Sequence, residues 1–389
     1  MAVRSATRVL VIANAYPSDR ALYRNGFIHR RVKAYQEAGL EVEVFYHHQP
    51  VAELQHYVYD DVPVTVGRSE HLEALAKSAR YDAYLVHFAE PGRLVPLMNA
   101  AVSAPVIVWI HGFEAEAWHR RWFNFVLGST EIADAIAKKS NYYETQNRFL
   151  RDLVVERPLR LRFVNVSAWF QHMIVEPDID AEITDGVVIP NLIDEELFQY
   201  RAKSPALRLR ILSVRPYASR KYANDVMVAA ILELSKRPYF DELLFTICGE
   251  GVLFEKITAP LHAFPNVELH NRFFSQEEIV ELHADHGVFL APTRFDSQGV
   301  SMCEAASSGL VAVATDVTAV PEFVKNRVSG LLVPPESPVA LADAIEELYF
   351  DEELFLTLSE EGSRSMTARC GRRATVDKEI ALIRQEVAR

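Results

Sequence analysis

The stretch that decides the fold of this chain is Gly287 to Thr315, with the sequence GVFLAPTRFDSQGVSMCEAASSGLVAVAT. Val288 to Ala291 is a short apolar run, which predicts a buried parallel strand. After a polar loop, Val300 to Ser308 predicts a short helix, and Leu310 to Ala314 predicts a second apolar strand. Together these segments predict a βαβ unit whose loop lies beyond the carboxyl end of a strand, where open α/β sheets bind ligands.

The loop and the first part of this helix carry two carboxylates, Asp296 and Glu304, eight residues apart. The backbone N–H groups of Val300 and Ser301 lie at the start of the helix, where they suit an anion such as a diphosphate. A second interpretation is structural, because Ser301 and Glu304 also fit an S-x-x-E capping box. This stretch alone leaves both interpretations open.

The rest of the chain alternates between strands and helices in two halves, which predicts an α/β protein with parallel sheets. Further predicted strands are Arg8 to Ala13, Glu41 to Phe45, Ala83 to His87, Val106 to Ile110, Phe163 to Val166, Arg210 to Val214, Leu243 to Cys248 and Val267 to Leu269. At 389 residues the chain is long enough for two domains with separate cores. We expect a first domain over 1–194, a linker over 195–209, a second domain over 210–374, and a final helix within 375–389.

Composition argues against several classes of protein. The net charge of −12 argues against non-specific binding of nucleic acid. No apolar run approaches the roughly 18 residues that a membrane span requires. The three cysteines are few and odd in number, which argues against a disulfide framework and favours a cytoplasmic location.

The stretch from Asp296 to Glu304 resembles the nucleotide-sugar site of retaining glycosyltransferases with the GT-B fold. Those enzymes carry Glu-x7-Glu, a helix of small residues, a glycine and an apolar strand, and this chain has Asp-x7-Glu with Gly299 inside the pattern. The resemblance implies two Rossmann-like domains that face a central cleft. It implies an N-terminal domain that binds the acceptor, a C-terminal domain that binds the nucleotide sugar, and a last helix that packs back on the N-terminal domain.

The resemblance also implies roles for residues of the second domain. In the family an arginine and a lysine clasp the donor diphosphate; Arg215 matches the arginine, and Lys221, or Arg220 beside it, matches the lysine. The first acidic residue of the family pattern lies beside the donor sugar and the second binds the ribose hydroxyls, which implies these roles for Asp296 and Glu304. A solvated basic loop is the structural alternative for the segment around Arg215.

Four further positions match the family more loosely. His111 is followed by Gly-x-Glu, similar to a family segment whose histidine reaches the donor sugar and whose acidic residue, here Glu114, flanks the acceptor. Gly26 matches a glycine near the diphosphate, Gly249 a turn at the nucleotide end of the cleft, and Arg272 a contact with the base. The structural alternatives are a histidine that only supports a strand end and a tight Gly-x-Gly turn.

Two patterns resemble metal sites, and we interpret neither as one. Asp178 and Asp180 form an Asp-x-Asp triplet, but no predicted strand precedes them, so we expect a surface loop. His283 and His286 lack further ligands at a suitable spacing, so we expect solvated histidines at a helix end. The sequence therefore predicts no essential metal.

Trp118 to Phe125 mixes aromatic residues with two arginines. Such a mixture is typical of a membrane interface, which would place the protein at the inner face of the membrane and favour a lipid-linked acceptor. The alternative, which we favour, is a half-buried helix beside the acceptor groove.

The resulting functional hypothesis is transfer of a sugar from a nucleotide diphosphate sugar to a carbohydrate acceptor, in the synthesis of surface polysaccharide or glycoconjugates. A nucleotide-sugar epimerase on the same fold is one alternative. A non-catalytic nucleotide-sugar-binding relative is another, because Asp296 is shorter than the family's glutamate. A dehydrogenase is disfavoured, since no Gly-x-Gly-x-x-Gly follows the first strand.

Overall fold

The structure is a computed structural model, and it describes residues 6–19, 25–124 and 129–389, without a subset of the side chains between 121 and 139. The described chain divides into two compact units. The first comprises the described residues up to Arg120, those from Ser129 to Leu192, and Arg373–Arg389. The second consists mainly of Ile193–Arg372. All three cysteines are free and buried.

The described strands of the first unit form one sheet. They are β1 (Arg8–Ala13), β2 (Glu41–His47), β3 (Gln55–Tyr59), β4 (Val62–Gly67), β5 (Ala83–His87), β6 (Val106–Ile110), β7 (Leu161–Asn165) and β8 (Val187–Val188). Their order in the sheet is β3-β4-β2-β1-β5-β6-β7-β8, and all neighbours are parallel except β3 and β4. Every residue of β5 and β6 is buried, as expected of parallel strands that are covered on both faces. This burial explains why their sequences are continuous apolar runs.

The hairpin of β3 and β4 was not predicted from the sequence. Strand β3 lies at the edge of the sheet, and three of its five residues are exposed, so it lacks the apolar run that marks the inner strands. Its two turn residues, Asp60 and Asp61, both have positive φ angles, of 48° and 61°, which is the geometry of a type I′ hairpin turn. Strand β8 also escaped prediction because it is only two residues long.

The second unit contains a sheet of six strands. They are β9 (Arg210–Val214), β10 (Leu244–Gly249), β11 (Val267–Asn271), β12 (Val288–Ala291), β13 (Val311–Thr315) and β14 (Leu331–Val333). Their order is β11-β10-β9-β12-β13-β14, and every pair of neighbours is parallel. Counted from β9, this is the 3-2-1-4-5-6 order of a doubly wound nucleotide-binding sheet. The predicted α/β class with two parallel-sheet domains is confirmed.

The described helices cover the faces of both sheets. They are α1 (Gly26–Glu37), α2 (Ser69–Ala76), α3 (Pro91–Asn99), α4 (Ser129–Glu156), α5 (Ala168–Phe170), α6 (Glu176–Ile179), α7 (Asn224–Leu234), α8 (Phe254–Thr258), α9 (Gln276–Asp285), α10 (Val300–Ser307), α11 (Val320–Phe323), α12 (Pro338–Phe350), α13 (Glu352–Cys370) and α14 (Val376–Ala388). No described helix is both long enough and apolar enough to cross a membrane.

The last helix, α14, lies in the first unit. Its Glu379 is fully buried and accepts hydrogen bonds from Arg31 Nε at 3.0 Å, Tyr35 Oη at 2.6 Å and Trp109 Nε1 at 3.2 Å. The charge pair with Arg31 is therefore buried together with further donors, which is the condition under which a buried carboxylate is tolerated. These bonds join α14 to α1 and β6.

The prediction of a surface loop at Asp178 and Asp180 is wrong for Asp178. Asp178 lies in α6 with its side chain 4% exposed, and its carboxylate accepts from Arg120 Nη2 and from the backbone N–H of Ala117, both at 2.8 Å. Asp180 directly follows the helix and its side chain is 87% exposed. The ion pair with Arg120 holds Asp178 in a buried position, and this pairing is not visible in the sequence.

The prediction of solvated histidines at the end of α9 is also wrong. His283 and His286 are each 2% exposed. His283 Nδ1 lies 3.0 Å from the hydroxyl of Ser308, and His286 Nε2 lies 2.8 Å from that of Thr246. Burial lowers the pKa of both imidazoles, that of His283 to about 3. They are neutral, hydrogen-bonded core residues.

The aromatic and basic segment is a 3₁₀ helix over Trp118–Asn124, and Phe125 lies outside the described residues. Phe123 is buried, and Arg120 donates to the carboxylate of Asp178. These contacts favour the half-buried interpretation of this segment, since one of its two arginines is bonded within the protein.

Candidate functional site

The second sheet reverses its strand order between β9 and β12, which are neighbours. Ligands of open α/β sheets bind at such a switch point, outside the carboxyl ends of the strands. The loop after β9 carries Arg215 to Tyr222, and the loop after β12 leads through Asp296 to the start of α10. The residues predicted to hold the diphosphate thus emerge at the place that the topology favours.

Arg215 is the central cation of this site. Its side chain is 3% exposed, Nη1 donates to Ser301 Oγ at 2.8 Å, and Nη2 lies 3.7 Å from Asp296 Oδ2. Its guanidinium carbon lies 4.7 Å from the ring centroid of Tyr222, within reach of a cation–π interaction. Nε and Nη2 are buried without a hydrogen-bond partner. Buried donors without partners are costly, so this guanidinium is suited to an anionic ligand.

Asp296 shapes the start of α10. Its Oδ1 accepts from the backbone N–H of Gly299 at 2.9 Å and of Gln298 at 3.3 Å. Gly299 is the N-cap of α10 and has a φ of 82°, a left-handed conformation that glycine adopts without strain. The carboxylate therefore fixes the backbone of the loop immediately before the first turn of α10.

The capping-box interpretation of Ser301 and Glu304 is wrong. The N-cap is Gly299, and Ser301 lies inside the helix with its hydroxyl bonded to Arg215. A capping box does occur in α9, where the side chains of Ser275 and Glu278 bond each other's backbone N–H. The first backbone N–H groups of α10 have no intrahelical acceptor and lie at the positive end of the helix dipole.

Glu304 lies one turn after Ser301 and therefore on the same face of α10. It is 8% exposed, so its carboxylate is buried. This placement is compatible with a ligand hydroxyl as its partner.

Of the two candidate partners of Arg215, Lys221 is the more buried, and its ammonium lies near the ring that Arg215 also contacts. Lys221 is half-buried, and its Nζ lies 5.6 Å from the ring centroid of Tyr222 and 6.0 Å from that of Phe295, which precedes Asp296. Arg220 is exposed. Lys221 is the better placed of the two to reach an anion beside Arg215.

Gly249 has a packing function that the sequence pattern does not display. A Cβ at Gly249 would lie 1.9 Å from the carbonyl oxygen of Arg215, and one at Gly251 would lie 2.2 Å from the carbonyl carbon of Tyr217. The backbone of β10 and its loop is hydrogen-bonded to the same segment, from Arg215 N–H to the carbonyl of Cys248 at 3.0 Å. Because these two residues lack a Cβ, the backbone after β10 can pack closely against the backbone of the loop that carries Arg215.

Arg272 lies just after the edge strand β11, two strands away from β9. It is exposed, forms an ion pair with Glu278 at 2.8 Å, and stacks 3.7 Å above the ring centroid of Phe274. The structure thus places Arg272 apart from the Arg215 cluster.

In the first unit, His111 lies just after β6 in an aromatic environment. Its Nε2 lies 3.0 Å from Nδ1 of His87, and its ring packs against Phe88 and Phe27 at centroid distances of 4.7 and 5.2 Å. Burial and the nearby charge of Arg31 lower the pKa of His111 well below its ordinary value. The imidazole is neutral and can act as a hydrogen-bond partner, not as a fixed cation.

The side chain of Glu114 is bonded to the backbone just after the end of β6. Its carboxylate accepts from the backbone N–H of His111 at 2.6 Å and of Gly112 at 3.0 Å, and the residue is fully buried. Burial raises its pKa to about 7, against the opposing effect of these two hydrogen bonds. Glu114 therefore supports the segment of His111, and its carboxylate is directed to the backbone.

Gly26 is the first residue of α1, and Asn25 before it is left-handed with a φ of 54°. A Cβ at Gly26 would meet no atom within 4 Å. Nothing in the packing of the described residues therefore requires glycine here, which leaves the approach of a ligand as a reason for it.

The structure gathers Arg215, Asp296, Ser301 and Lys221 at the switch point, whereas Gly26 and His111 belong to the first unit. Sequence reasoning missed the hydroxyl of Ser301 as the partner of Arg215. It also missed His87. The signal was that His87 is a polar residue at the end of an otherwise apolar, fully buried strand. Among the described residues, no group of three or more His, Cys, Asp or Glu side chains could hold a metal ion.

Residues 208–351 match the family described as "Glycosyl transferases group 1". The chain is 26% identical over 164 residues to an alpha-D-kanosaminyltransferase of Streptomyces kanamyceticus (41% of this chain, 42% of the relative). It is 30% identical over 142 residues to a D-inositol 3-phosphate glycosyltransferase of Corynebacterium aurimucosum (35% and 34%). It is 27% identical over 155 residues to a GDP-mannose-dependent alpha-(1-6)-phosphatidylinositol monomannoside mannosyltransferase of Mycobacterium tuberculosis (37% and 40%). The matches thus span less than half the length of these curated relatives.

Nearly the whole chain superposes on solved structures of other proteins. A sucrose-phosphate synthase from Thermosynechococcus elongatus superposes with a TM-score of 0.71 at 15% identity and covers 98% of this chain and 99% of its own. The Anabaena protein HepE, in complex with UDP and glucose, superposes with a TM-score of 0.65 at 15% identity and covers 98% of both chains. At these identities the likeness establishes the fold alone. The chain therefore has the GT-B fold, and its residues 208–351 are similar to the group 1 glycosyltransferases.

Proposed function

We propose that the protein is a retaining glycosyltransferase that moves a sugar from a nucleotide diphosphate sugar to a carbohydrate acceptor. The observation that carries the proposal is Arg215, a buried guanidinium with two unbonded donors at the switch point of a doubly wound sheet. A leaving diphosphate requires such a preorganised cation, because negative charge develops on it as the glycosidic bond breaks.

Each residue of the cluster is assigned one part of the reaction. Arg215 and Lys221, with the backbone N–H groups of Val300 and Ser301, stabilise the departing diphosphate. Glu304 holds the ribose hydroxyls of the nucleotide. The bond from Arg215 to Ser301 supports this assignment, because a cation that is oriented before the ligand binds needs little reorganisation when the charge develops.

Two further residues are assigned to the donor sugar. The neutral imidazole of His111 offers a hydrogen-bond partner to a sugar hydroxyl. The Oδ1 of Asp296 is bonded to the loop backbone, whereas its Oδ2 lies 3.7 Å from Arg215 Nη2, on the side of the proposed diphosphate site. No side chain acts as a covalent nucleophile. The departing phosphate accepts the proton of the acceptor hydroxyl on the same face of the sugar, without an essential metal ion.

The acceptor class that we propose is a lipid-linked glycan, used in surface polysaccharide or glycoconjugate synthesis at the inner face of the membrane. The printed name of the Mycobacterium tuberculosis relative, a phosphatidylinositol monomannoside mannosyltransferase, supports a lipid-linked acceptor. The bonding of Arg120 to Asp178 within the protein is the observation against direct contact of that segment with lipid.

A second candidate is a non-catalytic nucleotide-sugar-binding protein. One observation favours it. Asp296 is shorter than the glutamate of the resembled family, and one of its carboxylate oxygens is already bonded to the backbone of its own loop. Such a protein would bind the nucleotide through Arg215 and release no product.

A donor panel separates these candidates. The purified protein is incubated without added metal with UDP-, GDP- and dTDP-sugars, and the release of nucleoside diphosphate is followed with and without a crude lipid or glycan extract. Transfer predicts release from one donor that rises with the extract, and an epimerase would convert the donor without any acceptor. Tight binding of a nucleotide without release would favour the non-catalytic candidate, and no binding of any nucleotide would contradict both.

A further inference from the structure

Arg294, in the loop between β12 and α10, uses every hydrogen-bond donor that its guanidinium has. Nε and Nη2 donate to the two carboxylate oxygens of Glu336 at 2.6 and 2.8 Å. Nη1 and Nη2 donate to those of Asp225 at 2.7 and 2.9 Å, and Nη1 also donates to the carbonyl of Arg220 at 2.8 Å. An arginine has five N–H donors, so the group is saturated. Its side chain is 8% exposed.

The backbone beside Arg294 adds a second set of bonds to the same segment. The N–H of Arg294 donates to the carbonyl of Lys221 at 2.8 Å, and the hydroxyl of Thr293 lies 3.1 Å from the same oxygen. The carbonyls of Arg220 and Lys221 are therefore both held by the loop after β12. Lys221 is the residue assigned to the diphosphate, and its ammonium lies 5.6 and 6.0 Å from the ring centroids of Tyr222 and Phe295.

The charges around Arg294 make this arrangement specific for arginine. Asp225 lies in the first turn of α7, and Glu336 lies in the turn between β14 and α12, so one planar group bridges three separate segments. A lysine has three donors on a single nitrogen and cannot form two bidentate pairs. The hydrogen bonds to Asp225 and Glu336 also raise the pKa of Arg294 in spite of its burial, and the bond to Arg294 lowers the pKa of Asp225.

We propose that Arg294 is a positioning residue that holds the Arg220–Lys221 backbone in place before any ligand arrives, so that Lys221 is ready for an anionic diphosphate. It acts through Lys221 and does not itself contact the ligand. The inference rests on the proposed function only where it assigns the diphosphate to Lys221. The fixing of the loop is a property of the ligand-free protein.

The test compares Arg294→Lys with a matched control, Arg327→Lys. Arg327 also forms a bidentate pair, with Glu347 at 3.0 and 2.5 Å, but it lies at the surface after α11. Two readouts are taken: amide hydrogen exchange over residues 219–223 without ligand, and the affinity for pyrophosphate, UDP and GDP by calorimetry. We expect Arg294→Lys to speed exchange in this segment at least tenfold and to weaken the affinity of the ligand that binds about tenfold. Arg327→Lys should leave both within twofold of the wild type.

A second variant protects the test against a failure of Arg294→Lys to fold. Glu336→Gln removes the charge of the half-exposed carboxylate that orients Arg294 Nε and Nη2, which loosens the guanidinium and so weakens its hold on the carbonyl of Arg220, and exchange should rise about threefold. Unchanged exchange in Arg294→Lys, or in Glu336→Gln where the first variant is unfolded, would overturn the inference. Faster exchange together with no binding of any probe by the wild type would uphold the positioning role and refute the proposed function instead.

Discussion

Arg215 and Ser301 are 86 residues apart in the chain, and the guanidinium of one donates to the hydroxyl of the other at 2.8 Å. The bond joins the end of β9 to the first turn of α10 across the switch point of the sheet. It fixes the direction of a buried cation whose Nε and Nη2 have no hydrogen-bond partner among the described residues, although Nη2 lies 3.7 Å from Asp296 Oδ2. A cation that is held in this way is suited to an anionic ligand, which is the basis of the proposed diphosphate role.

Removal of the charge at Arg215 should be the most damaging single change to function. We expect Arg215→Ala to lower kcat by roughly 10² to 10³, about 3–4 kcal/mol of transition-state stabilisation, by analogy with the loss of one preorganised donor. Ser301→Ala removes only the orienting bond and should cost about tenfold. The measurement is steady-state kinetics on the donor that the panel identifies, with Arg364→Ala as a control, because Arg364 is exposed in α13 and forms ion pairs only with neighbours on its own helix among the described residues. Full activity in Arg215→Ala would remove the basis of the proposed mechanism.

Asp296 can be tested for its two roles separately. Asp296→Asn retains an oxygen that can accept from the N–H of Gly299, so the loop and the stability should be nearly preserved. Asp296→Ala removes that acceptor and should destabilise the fold by about 1 kcal/mol, as the loss of a helix cap does. Chemical denaturation measures the stability, and the donor assay measures the activity.

The comparison of these two variants distinguishes a structural from a functional carboxylate. If Asp296→Asn is both stable and inactive, its negative charge serves the donor sugar. If it is stable and fully active, the carboxylate has only the structural role, and the shorter side chain has no catalytic significance.

The sequence was most informative where physical constraints act locally. Strands such as β5 and β6 are buried on both faces, so each is a continuous apolar run, and their limits were predicted to the residue. The start of the helix after Asp296 was likewise predicted at Val300, where the structure has it. The hairpin of β3 and β4 was missed because an exposed edge strand has no such signal.

The site was predicted less completely than the fold, because its bonds join distant parts of the chain. The spacing of Asp296 and Glu304 indicated a ligand loop, and an arginine after the first strand of the second domain indicated a cation. That Ser301 would hold Arg215, or that Arg294 would hold the carbonyls of Arg220 and Lys221, depends on how separate loops meet in space. The same reason explains the wrong prediction for His283, whose partner Ser308 lies on another segment.

Two glycines should respond to alanine in opposite ways. Gly249→Ala places a Cβ 1.9 Å from the carbonyl oxygen of Arg215, so the Arg215 loop must move or the protein must unfold. Gly26→Ala meets nothing within 4 Å, and alanine in the first turn of α1 should raise stability by up to about 1 kcal/mol. Thermal unfolding checks both expectations. A stable but inactive Gly26→Ala would support ligand approach at this position, whereas a fully active one would contradict the role assigned to it.

The buried carboxyl of Glu114 should make the stability of the protein depend on pH. Its pKa in the folded protein is raised to about 7 from an ordinary 4.5, chiefly by burial, so the folded state binds the proton more tightly than the unfolded state. The resulting stabilisation is complete below pH 4.5 and is lost as the pH rises through 7. Since one pKa unit corresponds to about 1.4 kcal/mol, the loss between pH 5 and pH 8 should be roughly 2–3 kcal/mol.

Glu114→Gln cannot titrate, so its free energy of unfolding should lack this fall, and the difference from the wild type should change by roughly 2–3 kcal/mol between pH 5 and 8. Effects of other titrating groups, such as His87 and His111, are common to both proteins and cancel in the difference. Glu116→Gln is the second comparison, because the charge of Glu116 also raises the pKa of Glu114; its removal should move the fall to lower pH. Urea denaturation at half-unit pH intervals provides the measurement. Parallel curves for the wild type and Glu114→Gln would show that the two backbone bonds from His111 and Gly112 outweigh burial and keep the carboxylate charged.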